Sequence, residues 1–116
     1  CIDACPTGAL TPRKLEVDKC ISYRNIEDKD SSLESLDKNL HGWFFGCDIC
    51  QTVCPWNRFA TPHQETAFIP KKELLDLTLK EWHELTEETF KRVFQKSAVK
   101  RAKFTGLERN IKFLSF

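Results

Sequence analysis

Six cysteines stand in this chain of 116 residues, and two groups of them end alike: Cys1-x3-Cys5-Pro6 and Cys47-x2-Cys50-x3-Cys54-Pro55, with Cys20 alone between. That density is about twice or more that of an ordinary globular protein, so thiol chemistry constrains the fold first. Three chemistries compete for such a pattern: disulfides, zinc and iron–sulfur clusters. Cys-x2-Cys alone suits zinc or a redox pair. Disulfides need an oxidising compartment, and no basic segment followed by an apolar one opens the chain as a secretory signal would.

The repeated Cys-x3-Cys-Pro ending favours iron and sulfide, with a structural zinc domain as the rival that metal analysis would separate. The bacterial ferredoxin run is C-x2-C-x2-C-x3-C-P, and its fourth cysteine ligates the other of two clusters. Cys1 and Cys5 supply the last two positions of one run, so its first two are expected upstream of Cys1. Cys47, Cys50 and Cys54 supply the last three of the second run, and Cys20 is the candidate for its displaced first position. Crossed ligation then gives one complete set, Cys5, Cys20, Cys47 and Cys50, and one half set, Cys1 and Cys54. The chain is therefore expected to hold one well-ligated 4Fe–4S cluster, with the other absent or labile. Each iron of a cube takes one thiolate, and tight turns bring neighbouring thiols to neighbouring irons while backbone N–H groups face the sulfides. The proline after each final cysteine turns the chain and removes a donor that would need a partner.

Length and composition bound the rest. The chain has room for one modest domain. Apolar residues make up 41% and charged residues 30%, with no apolar run long enough to span a bilayer, so no membrane association is expected. The chain opens on Cys1 and holds no methionine, as a fragment of a longer protein would. Residues 1–90 carry ten Lys/Arg against sixteen Asp/Glu, a net charge of −6, whereas residues 91–116 carry eight against Glu108 alone, a net of +7. Such a basic tail suits a polyanionic partner, or a solvated helix face.

The patterning is mostly α-helical. Brief strand-like stretches occur at Leu15 to Val17 and Ile21 to Tyr23. Ser31 or Ser32 can cap a helix carrying Leu33, Leu36 and Leu40 and ended by Gly42. Cys47 to Val53 could form two helical turns before Pro55, and residues 56–70 read as a loop. From Lys71 the texture changes. Thr78 opens a helix with Leu79, Trp82 and Leu85 on one face. Thr86 caps the next, with Phe90, Val93 and Phe94 inward and Glu87 and Glu88 at the positive end of its dipole. Ser97 can cap a last helix with Val99, Ala102, Leu107, Ile111 and Leu114 inward, weakened at Gly106. The division is thus an iron–sulfur module over residues 1–70 and a helical segment over 71–116 that starts an array.

Three stretches carry a family resemblance: Cys-Pro-Thr-Gly-Ala-Leu (5–10); Asp-Lys-Cys-Ile-Ser-Tyr (18–23) with Ile26 and Glu27; and His-Gly-Trp-Phe-Phe-Gly-Cys-Asp-Ile-Cys-Gln-Thr-Val-Cys-Pro-Trp-Asn (41–57). These closely resemble the epoxyqueuosine reductases. Ser97, Lys100, Arg101, Gly106, Leu107, Arg109 and Asn110 resemble that family's passage into HEAT-type helical repeats. The resemblance implies a cytoplasmic, monomeric oxidoreductase that reduces epoxyqueuosine in the tRNA anticodon loop to queuosine. It implies two 4Fe–4S clusters relaying electrons to cobalamin, and an electron donor such as a flavodoxin or ferredoxin. The cobalamin and substrate pocket belongs largely to a domain N-terminal to these motifs, so only the six cysteines carry over as ligands. A stand-alone dicluster ferredoxin would share the spacing but leave the +7 tail unexplained, and a cobalamin-dependent dehalogenase would share the cofactors but not the flanking residues. Under this resemblance Lys96, Lys100, Arg101, Lys103 and Arg109 are candidates for tRNA phosphates, giving salt-sensitive affinity with little base readout. Arg109 has a second candidate role on helix-end carbonyls. Trp43, Phe44, Phe45 and Trp56 could exclude water from the ligands, or serve as core aromatics. Asp48 is expected to be exposed. His41, His63 and His83 lack ligand-like grouping.

Overall fold

The computed structural model describes residues 1–29 and 40–114. The expected helix through Leu33 and Leu36, with its cap at Ser31 or Ser32, lies outside the described residues. Leu40 is completely buried, and Trp43 N–H closes a turn on its carbonyl at 2.9 Å.

Helices of mostly one or two turns make up about half of the described residues, beside one small sheet. Strands β1 (Leu10–Thr11) and β2 (Lys14–Leu15) pair antiparallel, Leu10 opposite Leu15 and Thr11 opposite Lys14. Pro12 and Arg13 make the turn, with Arg13 at φ 62, the left-handed conformation that the third residue of a type II turn demands. Pairing thus lies earlier than the Leu15–Val17 pattern suggests. The second strand-like stretch is corrected outright: Ile21 opens helix α1 (Ile21–Ile26). Its inward positions are Ile21, Arg24 and Asn25, a helical spacing that polar residues hide from an apolar count.

Helix α2 (Ile49–Thr52) is one turn rather than the two expected, because Asp48 and Val53 both leave helical geometry. Pro55 then starts a 3-10 helix, Pro55–Phe59, and a second, Thr66–Phe68, interrupts the 56–70 loop. Next in the chain come helices α3 (Lys72–Leu75), α4 (Leu79–His83), α5 (Glu87–Val93) and α6 (Lys103–Phe113). Thr78 caps α4 with a full capping box, its hydroxyl accepting from Glu81 N–H while the Glu81 carboxylate accepts from Thr78 N–H at 2.7 Å. Thr86 caps α5 through Thr89 N–H. At the other end of α5, Lys71 Nζ donates to the Val93 carbonyl at 2.7 Å, a cation where the dipole is negative. Ser97 caps a 3-10 helix, Ala98–Ala102, and not the long helix expected. The break falls at Lys103, with φ 60 and ψ 169, a region almost reserved to glycine.

Two apolar clusters hold these pieces. Leu85, Phe90, Val93, Phe94, Leu107 and Ile111 form the larger, with Trp82, Val99 and Phe104 against it. Phe44 and Phe45, just ahead of Cys47, pack on the same cluster, and the Phe44 ring lies 4.9 Å from that of Trp82. The smaller joins Ile21 and Leu40 to Trp43, Cys47, Phe113 and Leu114. Helix α6 contributes to both, so it ties the helical segment to the cysteine-bearing one. Leu79, expected inward, is 58% exposed, whereas Trp82 is half-buried against the larger cluster and Leu85 is buried within it. Among the described residues, no helix is long and apolar enough to cross a membrane.

Candidate metal centre

All six cysteines are free thiols. Cys5, Cys20 and Cys54 sit where the backbone changes state. Cys5 N–H bonds the Ile2 carbonyl at 3.2 Å, and Gly8 N–H, at φ 62, bonds the Cys5 carbonyl at 3.1 Å. Cys20 is the extended residue that starts α1, and Cys54 the extended residue that starts the 3-10 helix after it. Cys50 lies inside α2, and Cys47 is half-buried between Gly46 and that helix.

The electrostatics shows which thiols lie within reach of one another's charge. Burial pushes the Cys47 thiol above its ordinary pKa, an Ile49 N–H bond partly offsets this, and the charges of Cys20, Cys50 and Cys5 push it up further. Those four sulfurs therefore lie within one electrostatic neighbourhood although they come from three separate segments. Cys5 differs. Burial alone would raise it, but the Thr7 hydroxyl, 3.6 Å from its sulfur, and backbone bonds to Thr7, Ala9 and Leu10 outweigh burial and hold it low. A thiolate ringed by backbone donors is what a cluster ligand requires. Among the described residues, no three His, Cys, Asp or Glu side chains close on one point as the ligands of a single ion must. Cys1 is exposed and Cys54 half-buried.

The loop ahead of Cys47 is held by two residues that the cysteine and charge patterns do not reveal. Asn25 is 1% exposed and Asn110 fully buried. The Asn25 carboxamide donates to the Trp43 carbonyl at 3.1 Å and to the Gly46 carbonyl at 2.8 Å, and accepts from Gly46 N–H at 2.9 Å. Asn110 Nδ2 donates to the Asn25 carbonyl at 2.7 Å and to the Phe44 carbonyl at 3.0 Å. One signal could have found them: each falls on the inward stripe of its helix, four residues after Ile21 and three after Leu107, where a polar residue marks a buried hydrogen-bond network.

The basic residues divide into two kinds. Lys96, Lys100 and Lys103 are exposed. Arg101 is exposed but forks onto the Glu27 carboxylate, with Nη2 to Oε2 at 3.0 Å. Arg109 is half-buried and donates to the Asp28 carbonyl at 3.1 Å, the Arg24 carbonyl at 3.4 Å and Asn110 Oδ1. Its contacts are those of a clamp on the carbonyl end of α1. Trp43, Phe44 and Phe45 are half-buried in the two clusters, whereas Trp56 is 80% exposed. Asp48, His41, His63 and His83 are exposed.

The 4Fe-4S double cluster binding domain matches residues 1–57. Epoxyqueuosine reductase from Cellulophaga algicola is 55% identical over 115 residues, 98% of this chain and 38% of that protein. The chain belongs to the epoxyqueuosine reductase family. The enzyme of that name from Leadbetterella byssophila is 51% identical over 98% of the chain, and that from Pseudomonas aeruginosa 39% over 96%. The chain spans about 38% of the length of the first of these relatives and 31% of the Pseudomonas one. No solved structure matches it. Within the family the chain is an iron–sulfur portion, and its cysteine pattern lies inside the matched domain.

Proposed function

We propose that this chain is the electron-relay segment of an epoxyqueuosine reductase, with Cys5, Cys20, Cys47 and Cys50 holding one complete 4Fe–4S cluster and Cys1 and Cys54 half of a second. The double-cluster domain matched over residues 1–57 and the two Cys-x3-Cys-Pro endings within it carry this reading, and Cys20, Cys50 and Cys5 lie within electrostatic reach of Cys47. A bound 4Fe–4S cluster supplies one-electron transfer. The chain's own residues do the rest. Backbone bonds to Thr7, Ala9 and Leu10 stabilise the Cys5 thiolate. Ile21, Leu40 and Trp43 pack beside Cys47 and keep water from that side. Burial and donors at the sulfur are the two levers that set a cluster's potential.

Residues 1–70 are the relay module in this reading. Residues 71–116 are the first helices of a HEAT-like array. Lys96, Lys100 and Lys103 meet tRNA phosphates, with Arg101 shared between them and Glu27. The parent enzyme would work in the cytoplasm as a monomer, draw electrons from a flavodoxin or ferredoxin, and reduce epoxyqueuosine in tRNA to queuosine. Cobalamin and the epoxide belong to the remainder of the polypeptide, and no residue of this chain is assigned to either.

The test is anaerobic reconstitution with iron and sulfide. About four iron and four sulfide per chain, with a reduced-cube electron paramagnetic resonance signal, is the expected result. Cys20→Ser should abolish both, and Cys54→Ser should leave both. Stoichiometric zinc without sulfide would overturn the relay, and a Cys20→Ser chain with unchanged iron would overturn the crossed set.

A further inference from the structure

We propose that Asn25 is a positioning residue for the cluster site: its carboxamide locks the Trp43–Gly46 loop, which leads into Cys47, onto helix α1, which leads out of Cys20. The inference rests on Cys20 and Cys47 being ligands of one cluster. Residues 43–46 belong to no helix or strand, so their backbone groups have no ladder to pair with. Asn25 supplies the missing partners. One carboxamide donates to two carbonyls and accepts from the Gly46 N–H, pairing with both the N–H and the carbonyl of Gly46. Gly46 is the last residue before Cys47, and its backbone is held at φ 73. Fixing it fixes the direction in which the Cys47 side chain leaves the backbone.

The carboxamide itself is fixed from behind. Asn110 on α6 donates to the Asn25 backbone carbonyl and to Phe44, and Arg109 orders the Asn110 oxygen. Asn is the side chain this position requires. Asp keeps the acceptor for Gly46 N–H but sets a carboxylate against two carbonyl oxygens, and Ala removes all three bonds. Residues that orient ligands from outside the ligand shell commonly change metal affinity by about 10–100-fold when replaced.

The test uses the chain reconstituted with iron and sulfide. Asn25→Ala and Asn25→Asp are compared with Thr86→Ala, which removes the cap that α5 receives at Thr89 N–H and leaves every Asn25 bond in place. Iron release to a chelator and the electron paramagnetic resonance line shape of the reduced cluster are followed, alongside the thermal midpoint. Release about 10–100-fold faster, with an altered line shape, is expected in both Asn25 variants. Thr86→Ala should lower the midpoint yet release iron near the wild-type rate with an unchanged spectrum. Equal effects in all three variants, or none in the Asn25 pair, would overturn the proposal. Should the Asn25 variants not fold, hydrogen exchange on the wild-type chain decides: Gly46 N–H should be protected as strongly as the α1 amides, and exchange at the unprotected rate would refute the clamp. A wild-type chain that takes up no cluster refutes the ligand reading instead, and the exchange measurement then stands alone.

Discussion

Removing the Asn110 side chain should cost more stability than any surface change in this protein. Asn110→Ala deletes two donors, at 2.7 Å to the Asn25 carbonyl and 3.0 Å to the Phe44 carbonyl, and an acceptor for Arg109. Asn25 is buried, so its carbonyl loses a partner where water cannot replace it, at a cost of about 1–3 kcal/mol. Phe44 is half-buried, and its carbonyl can rehydrate, which adds roughly 1 kcal/mol. The sum, about 2–4 kcal/mol, is a large share of the roughly 6–17 kcal/mol expected of a chain this long. The thermal midpoint should fall by roughly 10 °C or more. Scanning the reconstituted variant and wild type at equal iron content and one scan rate measures it. Asn110→Leu sharpens the test, because it refills the volume and leaves both carbonyls unpaired. It should be destabilised to a similar degree. An Asn110→Leu chain as stable as wild type would show that packing volume, and not hydrogen bonding, is what position 110 supplies.

Gly106→Ala should stabilise by about 0.5–1 kcal/mol in the same scan, since the added Cβ meets only Ala102 Cβ at 3.7 Å; a loss would mean that the α6 backbone there needs glycine. The Glu27 carboxyl is held below its ordinary pKa by the Arg101 hydrogen bond, so its contribution is present above the ordinary carboxylate value and is lost as the pH falls through the folded one. The midpoint difference between wild type and Glu27→Gln in the metal-free chain should therefore close on acidification through the carboxylate range, and a constant difference would remove the pair from the account. Reversing Lys100 and Arg101 should weaken tRNA binding and flatten its salt dependence, with equal affinity and slope leaving the tail a solvated surface. Because Arg101 also pairs with Glu27, Lys96→Glu with Lys103→Glu is the cleaner double variant, and its midpoint should stay at the wild-type value while affinity falls.

The ends of the helical segment are legible in the sequence because capping is local. Thr78 and Thr86 each reach a backbone N–H only three residues ahead, and Phe90, Val93 and Phe94 share one face of a single helix. Ser97 does cap, but the helix it starts is 3-10, because Lys103 leaves helical geometry at a place that no residue-type preference announces. Ile21 to Tyr23 reads as extended because its helix buries Arg24 and Asn25 in place of apolar residues, Arg24 paired with Asp28 four residues on and Asn25 with the distant Trp43 and Gly46.

The sequence by itself determined the chemistry of this protein. Thiols at short fixed spacings, in two runs each closed by proline, point to iron–sulfur ligation, and the family's motifs surround them. Only the tertiary structure decided how the loop ahead of Cys47 is held and what Arg101 and Arg109 pair with. Asn110 meets the carbonyl of Asn25 across 85 residues of chain, Arg101 meets Glu27 across 74, and Asn25 meets Gly46 across 21. Contacts at those separations leave no period in the sequence. They exist only once helix α6 has packed its apolar stripe against the loop that ends at Cys47.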